Sequence, residues 1–163
     1  MIELEQLEDE RGFFARTWCE AEFAAHEINM CIKQCNVSFN IRKGTLRGLH
    51  WQAAPRAEAK LVRVTRGAIF DVIFDLRTDS ATCSQHFAVE LTAENHRALY
   101  IPAGFAHGFQ TLMDDTEVFY QMSEIYSPEF VRGFRWDDPT AAIPWPVNDP
   151  IVSERDTALP FLR

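Results

Sequence analysis

Two stretches of this 163-residue chain place ionisable side chains where a strand built only to fill a core would carry valine or isoleucine. "TLRGLHWQ" (45–52) sets Arg47 and His50 in an otherwise apolar run, and "YIPAGFAHGF" (100–109) follows Pro102 and Gly104 with His107. The second pattern reads as a turn that delivers a histidine into the next strand. In "KLVRVTRGAIFDVIFDLR" (60–77), alternation puts Lys60, Val62 and Val64 on one face, and likewise Asp71, Ile73 and Asp75. A charge on an apolar strand face is costly if buried unpaired. Lys60 and Asp71 are therefore expected to line a polar cavity, and Asp75, beside a turn, to face solvent. Taken singly, each histidine could equally be a satisfied structural residue. Arg47 and His50 also carry a geometric problem, because an odd spacing puts them on opposite faces of a regular strand. Gly48 between them permits a bulge or bend that turns both toward one cavity.

The charge pattern narrows the ligand. A formal net charge of −8 argues against a nucleic-acid partner, which would need a basic surface. Residues 41–66 nevertheless hold Arg42, Lys43, Arg47, Arg56, Lys60, Arg63 and Arg66 against the single acid Glu58. A local cationic excess in an acidic chain suits a small anion; for Arg42, Lys43 and Arg56 a solvated basic face explains it equally well. Cys19, Cys31, Cys35 and Cys83 show no metal-binding spacing and are expected to be reduced and mostly buried. No apolar run approaches the roughly 18 residues of a membrane span, and "MIELEQLEDERG" carries no export signal. A cytoplasmic protein without a membrane partner is the expectation.

The elements that must position these groups are short strands. Gly12–Arg16, Ile32–Phe39, Leu46–Gln52, Lys60–Arg66, Ala68–Leu76, Gln85–Leu91, Ala98–Ile101, Gly108–Leu112 and Val118–Ile125 have β composition. "IRKG", "TRG", "RTDS" and "MDD" separate them as turns. Cys19–Ile28 predicts one short surface helix, and "SPEF" a second helical turn with Ser127 as cap and Pro128 first. No linker, repeat or boundary is visible, so residues 1–163 read as one all-β domain, a sandwich or barrel with one or two short peripheral helices. The Pro- and Asp-rich tail from Trp136 should wrap the surface, ending in the charged cluster Glu154–Arg155–Asp156.

"IPAGFAHGF" resembles the second motif of the cupin superfamily, whose fold is the double-stranded β-helix or jelly roll. A metal-binding cupin would carry a second histidine where this chain has Gln52, with Glu58 the only substitute ligand nearby. A cupin without metal is expected, and a metal-dependent oxygenase is the alternative. In order along the chain, "DERGFF", "GTLRGLHWQ", "KLVRV", "FDVIFDLR", "IPAGFAHGF", "VFYQ", "WDDP" and "SERD" resemble the dTDP-4-dehydrorhamnose 3,5-epimerase family.

That resemblance implies a cofactor-independent homodimer acting on a nucleoside-diphosphate 4-keto-6-deoxy sugar in deoxysugar and polysaccharide biosynthesis. Hydrogens on the carbons flanking the ketone are weakly acidic, because their removal gives a conjugated enolate. Inversion then needs a base on one ring face, an acid on the other and a cation at the enolate oxygen. By resemblance His50 is the base, Asp156 orients it, Lys60 meets the enolate oxygen and Tyr120 is the acid. His107, paired with Asp71, contacts the sugar or tunes Lys60; Arg47 and Arg11 hold the diphosphate, and Gln34 and Asn36 lie near the nucleotide. A ketoisomerase of the same fold and a silent sugar-binding cupin are rival readings. His26, His86 and His96 are expected to be structural or exposed.

Three departures from the family pattern stand out. The chain begins later than typical members, so the family's first strand, in a region that takes part in the dimer, is expected to be shortened or missing. Arg16 stands where typical members carry glutamate, and Ile125 where an aromatic often stacks on the base. Both touch nucleotide recognition, not proton transfer.

Overall fold

Eight strands with alternating apolar faces form two antiparallel sheets in the computed structural model, which describes residues 1–162. Ahead of them come a hairpin of β1 (Leu7–Asp9) and β2 (Gly12–Phe14) and the helix α1 (Glu20–Ala25). The sandwich strands are β3 (Gln34–Asn40), β4 (Thr45–Gln52), β5 (Lys60–Arg66), β6 (Ala68–Asp75), β7 (His86–Thr92), β8 (Ala98–Ile101), β9 (Phe105–Thr111) and β10 (Thr116–Met122). One sheet runs β3-β10-β5-β8; the other runs β4-β9-β6-β7. Successive strands change sheets almost every time, which is the jelly-roll arrangement that the cupin resemblance implied. A 3₁₀ turn (Pro128–Phe130), β11 (Val131–Gly133), β12 (Ile151–Val152) and the helix α2 (Glu154–Thr157) complete the chain. β11 and β12 both add to the free edge of β4, antiparallel and parallel respectively.

Between the sheets, Val62 and Val64 of β5 meet Ile69 and Ile73 of β6 and Leu91, Leu99 and Val118. The alternate residues of β6, Phe70, Val72 and Phe74, point the other way, under Phe134, Ala141 and Trp145 of the tail. That accounts for the unbroken apolar run in this strand, since both of its faces are covered. The tail does more than wrap the surface: it completes a second core. A third cluster joins Phe23 of α1 to Leu61 and Ala98 on the outside of the other sheet. No helix among the described residues is long and apolar enough to cross a membrane.

Several local expectations need correction. Asp75 is buried, not solvated, because Arg77, Ser80 and Thr82 of the following turn all bond to its carboxylate. The Arg77 guanidinium foremost, helped by both hydroxyls, holds that carboxyl far below the ordinary range despite burial. None of the four free cysteines is buried: Cys31 and Cys35 are exposed, Cys19 and Cys83 half-buried. Cys35 alternates with the inward residues of β3, which leaves it on the outer face. Ser127 precedes the 3₁₀ turn without capping it, its hydroxyl bonding to the Ile125 carbonyl instead. At the N-terminus Ile2 forms a bridge with Ala98 at the edge of β8.

Candidate active site

A cavity of about 600 Å³ opens between the sheets where the inward-facing residues change from apolar to ionisable. His50 of β4 and His107 of β9 enter it from one sheet, Lys60 of β5 and Tyr120 of β10 from the other. Arg47 and Asp156 also line it. Six of the residues singled out from the sequence thus share one site. Asp71 stands directly behind His107, its carboxylate within hydrogen-bond distance of the ring.

Gly48 resolves the odd spacing of Arg47 and His50. Arg47 pairs with Phe109 and His50 with His107, so two residues of β4 oppose the single Gly108 of β9. This is a β-bulge. Gly48 has φ +117°, and a Cβ there would sit 2.6 Å from the Gly108 Cα. A Cβ on Gly108 would in turn meet the Arg47 carbonyl oxygen at 2.8 Å. The two glycines therefore let β4 and β9 approach closely while turning Arg47 and His50 into one cavity. The Gly48 N–H donates to Asp156 Oδ2 at 3.3 Å.

Asp156 reaches His50 across 106 positions of sequence. β12 lies along the start of β4, and Ser153 then caps α2, its Oγ accepting the Asp156 N–H at 3.1 Å. That places Asp156 Oδ1 2.7 Å from His50 Nε2. Burial pushes the Asp156 carboxyl up, but the bond and charge of His50, with the Gly48 N–H and Arg155, hold it below its ordinary value. The other ring nitrogen of His50 makes no hydrogen bond among the described residues, leaving it free to take a proton.

The second imidazole is built differently. His107 Nε2 lies 2.7 Å from Asp71 Oδ1, and Asp71 is fully buried with its Oδ2 unpartnered among the described residues. The turn that precedes His107 depends on Gly104 at φ +88°, where a Cβ would lie 2.7 Å from Arg77 Cγ. Tyr120 is half-buried; burial pushes its phenol up, Arg47 pulls it down and Tyr126 pushes it up again, for a net rise. The phenol is therefore a proton donor at neutral pH. Lys60 makes an ion pair with Glu58, whose other oxygen accepts the Gln52 N–H at 2.9 Å.

The remaining residues fall at or beyond the rim. Arg47 Nε donates to Asn40 Oδ1 at 2.8 Å and has no carboxylate partner among the described residues. Gln34 and Asn36 bond to each other on β3, just before the cavity-lining Ser38, and Gln34 also accepts the Tyr126 N–H. Arg11 does not reach the cavity of its own chain: it is exposed in the β1–β2 turn, paired with Asp9. Arg16 pairs with Glu22 on α1, and Ile125 is exposed beside the cavity-lining Tyr126. Sequence reasoning missed Tyr126 and Arg155 as cavity residues, and Glu58 as the partner of Lys60. The basic cluster at 41–66 with one acid was the available signal for Glu58. His26, His86 and His96 lie outside the cavity.

Gln52 uses its side chain on backbone. Its Nε2 donates to the Arg56 and Ile125 carbonyls, and its Oε1 accepts the Ser127 N–H. Each imidazole likewise has a carboxylate of its own, and no group of three His, Cys, Asp or Glu side chains converges as a metal site requires among the described residues.

A double-sheet jelly roll with imidazoles, an ammonium and a phenol turned into the inter-sheet space is a cupin equipped for proton transfer. The chain belongs to the dTDP-4-dehydrorhamnose 3,5-epimerase family, whose family model matches residues 1–163. It is 46% identical over 159 residues to the dTDP-4-dehydrorhamnose 3,5-epimerase of Methanothermobacter thermautotrophicus, covering 96% of this chain and 85% of that one. The Sinorhizobium fredii enzyme of the same name is 42% identical over 163 residues, with 99% and 84% covered. Among solved structures, the Bacillus anthracis dTDP-4-dehydrorhamnose 3,5-epimerase with TDP and PPi bound superposes with TM-score 0.96 at 45% identity, covering 98% of this chain and 91% of that one. A 3'-monoepimerase from Streptomyces bikiniensis in complex with dTDP-quinovose gives 0.90 at 31% identity, with 98% and 80% covered.

Proposed function

We propose that the protein is a cofactor-independent epimerase of a nucleoside-diphosphate 4-keto-6-deoxy sugar, inverting one or both carbons that flank the ketone. The observation that carries this reading is the placement of His50 with Asp156 on one sheet and Tyr120 on the facing sheet of the same cavity. A sugar ring held between them has a base toward one face and an acid toward the other, which inversion requires and plain binding does not. His50 removes the proton, and Asp156 stabilises the imidazolium that forms. Lys60 meets the enolate oxygen, a charge that exists only as the reaction proceeds. Tyr120 returns a proton from the opposite side. His107, backed by Asp71, bounds the sugar end of the cavity.

Arg47 and Arg155 are the cavity's guanidiniums and form no ion pair with a carboxylate among the described residues, so they serve the diphosphate. Gln34 and Asn36 stand toward the nucleotide. Arg11 fits this scheme when a second copy contributes it, which is the role of a homodimer here. Relatives solved with TDP and PPi or with dTDP-quinovose support a nucleoside-diphosphate ligand. Such a substrate points to deoxysugar biosynthesis in the cytoplasm.

Incubation with a dTDP-4-keto-6-deoxy sugar in heavy water tests the reading. Deuterium enters both flanking carbons for a 3,5-epimerase and one for a single-centre enzyme. No incorporation, with His50→Ala indistinguishable from wild type, removes the proposal for that substrate.

A further inference from the structure

The cavity sorts its charges in a way that the proton-transfer scheme does not by itself demand. Three buried carboxylates stand in or behind its wall, and each touches one proton-handling group: Asp156 on His50, Asp71 on His107 and Glu58 on Lys60. Two imidazoles have an evident reason for a carboxylate, since it fixes ring orientation. An ammonium has no ring to orient, so its carboxylate needs another explanation. Glu58 is nonetheless almost wholly buried, its side chain 2% exposed.

Its surroundings show how it is held. Gln52, at the end of β4, donates its N–H to Glu58 Oε2 at 2.9 Å, and the neighbouring Ala59 N–H donates to Ser123 Oγ at 2.7 Å. The carboxylate is thus tied to β4 through Oε2, the backbone beside it is tied to Ser123 just after β10, and its Oε1 is left for the Lys60 ammonium. Lys60 faces the cavity on β5 beside Met122 of β10 and Ile101 of β8, and its ammonium bonds to neither. The other ionisable groups lining the cavity are Arg47, Arg155, His50, His107, Tyr120, Tyr126 and Asp156. Asp156 is engaged by His50 and Gly48. Among the described residues, Glu58 is therefore the one carboxylate that touches Lys60.

We propose that Glu58 is a positioning residue for the reaction, holding the Lys60 ammonium against the cavity wall until negative charge develops on the substrate oxygen. The role rests on the epimerase reading, but the geometry stands apart from it. A flexible four-carbon stem would otherwise sample many rotamers, and the cations Arg47 and Arg155 of the same cavity would repel its ammonium. Preorganisation of this kind lowers the barrier without strengthening substrate binding. Glu58 touches neither the ring nor the reacting atoms in this scheme; it acts through Lys60.

Two readouts on Glu58→Gln test the proposal. The first needs no substrate: acetic anhydride at pH 8 acylates free amines, and peptide mass spectrometry compares Lys60 with the exposed Lys43 of the same molecule. Loss of the touching carboxylate is expected to raise the Lys60-to-Lys43 labelling ratio by about tenfold, the size of one lost charge-assisted hydrogen bond. An unchanged ratio overturns the proposal whether or not the protein is an epimerase. The second readout is kinetic: kcat is expected to fall by about tenfold or more while KM moves by less than about threefold, the pattern of an interaction made only in the transition state. A rise in KM at constant kcat overturns it. Glu58→Asp, which keeps the charge on a shorter arm, is the second variant. It is expected to give a labelling ratio near wild type, and a ratio equal to that of the Gln variant overturns the charge argument.

Discussion

The two histidine–carboxylate pairs of the cavity share a hydrogen-bond length of 2.7 Å and occupy paired positions on neighbouring strands. They differ in exposure and in where the carboxylate comes from. The His50 side chain is 32% exposed and that of His107 11%. Asp156 comes from a four-residue helix near the end of the chain and has both oxygens engaged, whereas Asp71 comes from the adjoining strand, fully buried, with one oxygen unpartnered among the described residues. In the proposed scheme the difference separates two uses of one chemical unit. A base that must take up and release a proton needs access to solvent and a counter-ion that follows it. A pair sealed between strands of one sheet fixes the shape and charge of the wall.

The sharpest way to break this comparison is to remove each imidazole in turn. His50→Asn is expected to lower kcat by about 10³-fold, within the range for loss of a general base. His107→Asn should keep at least about tenfold more activity than His50→Asn, and equal losses in initial-rate assays would erase the distinction. Stability should rank the pairs the other way. Asp71→Ala leaves His107 without its partner at a buried site and is expected to cost about 3 kcal/mol or more. Asp156→Asn should cost less, as read from urea midpoints at constant slope.

A smaller effect concerns acid stability. The Asp156 carboxyl lies below its ordinary value in the folded chain, so its contribution is present above the unfolded carboxylate range and disappears as pH falls through the folded value. The stability difference between wild type and Asp156→Asn is therefore expected to persist at pH 6 and to shrink below about pH 4. The smallest signal is spectroscopic. With the Tyr120 phenol pushed up by burial, Tyr120→Phe should remove a phenolate transition that occurs only above about pH 10 in an absorbance titration. A transition near neutrality would contradict its role as acid.

Much of the site was legible because strand alternation has a period of two. Lys60 beside Val62 and Val64, and Asp71 beside Ile73, marked the face that turns from core to cavity. The many short strands led to a sandwich or barrel, and the cupin resemblance of the His107 turn narrowed it to a jelly roll. What alternation could not reach was contact between distant segments. α2 has four residues and β12 two, too few for any periodicity, yet together they deliver Asp156 to His50. The family resemblance, not the local pattern, supplied that pairing. Asp75 was misread because the residues that bury it, Arg77, Ser80 and Thr82, lie in the turn that seemed to expose it. Arg155 went unnoticed as one charge in an ordinary surface cluster, and Arg11 belongs to a hairpin whose place in the scheme requires a second chain.

The central claim is that base and acid approach the sugar from opposite sheets. Its most direct test is a single-turnover reaction in heavy water that scores deuterium uptake and inversion separately for His50→Asn and Tyr120→Phe. The account predicts that Tyr120→Phe still takes up deuterium beside the ketone but returns it from the original side, with no inversion, while His50→Asn does neither. Loss of uptake in Tyr120→Phe with uptake preserved in His50→Asn would contradict the assignment.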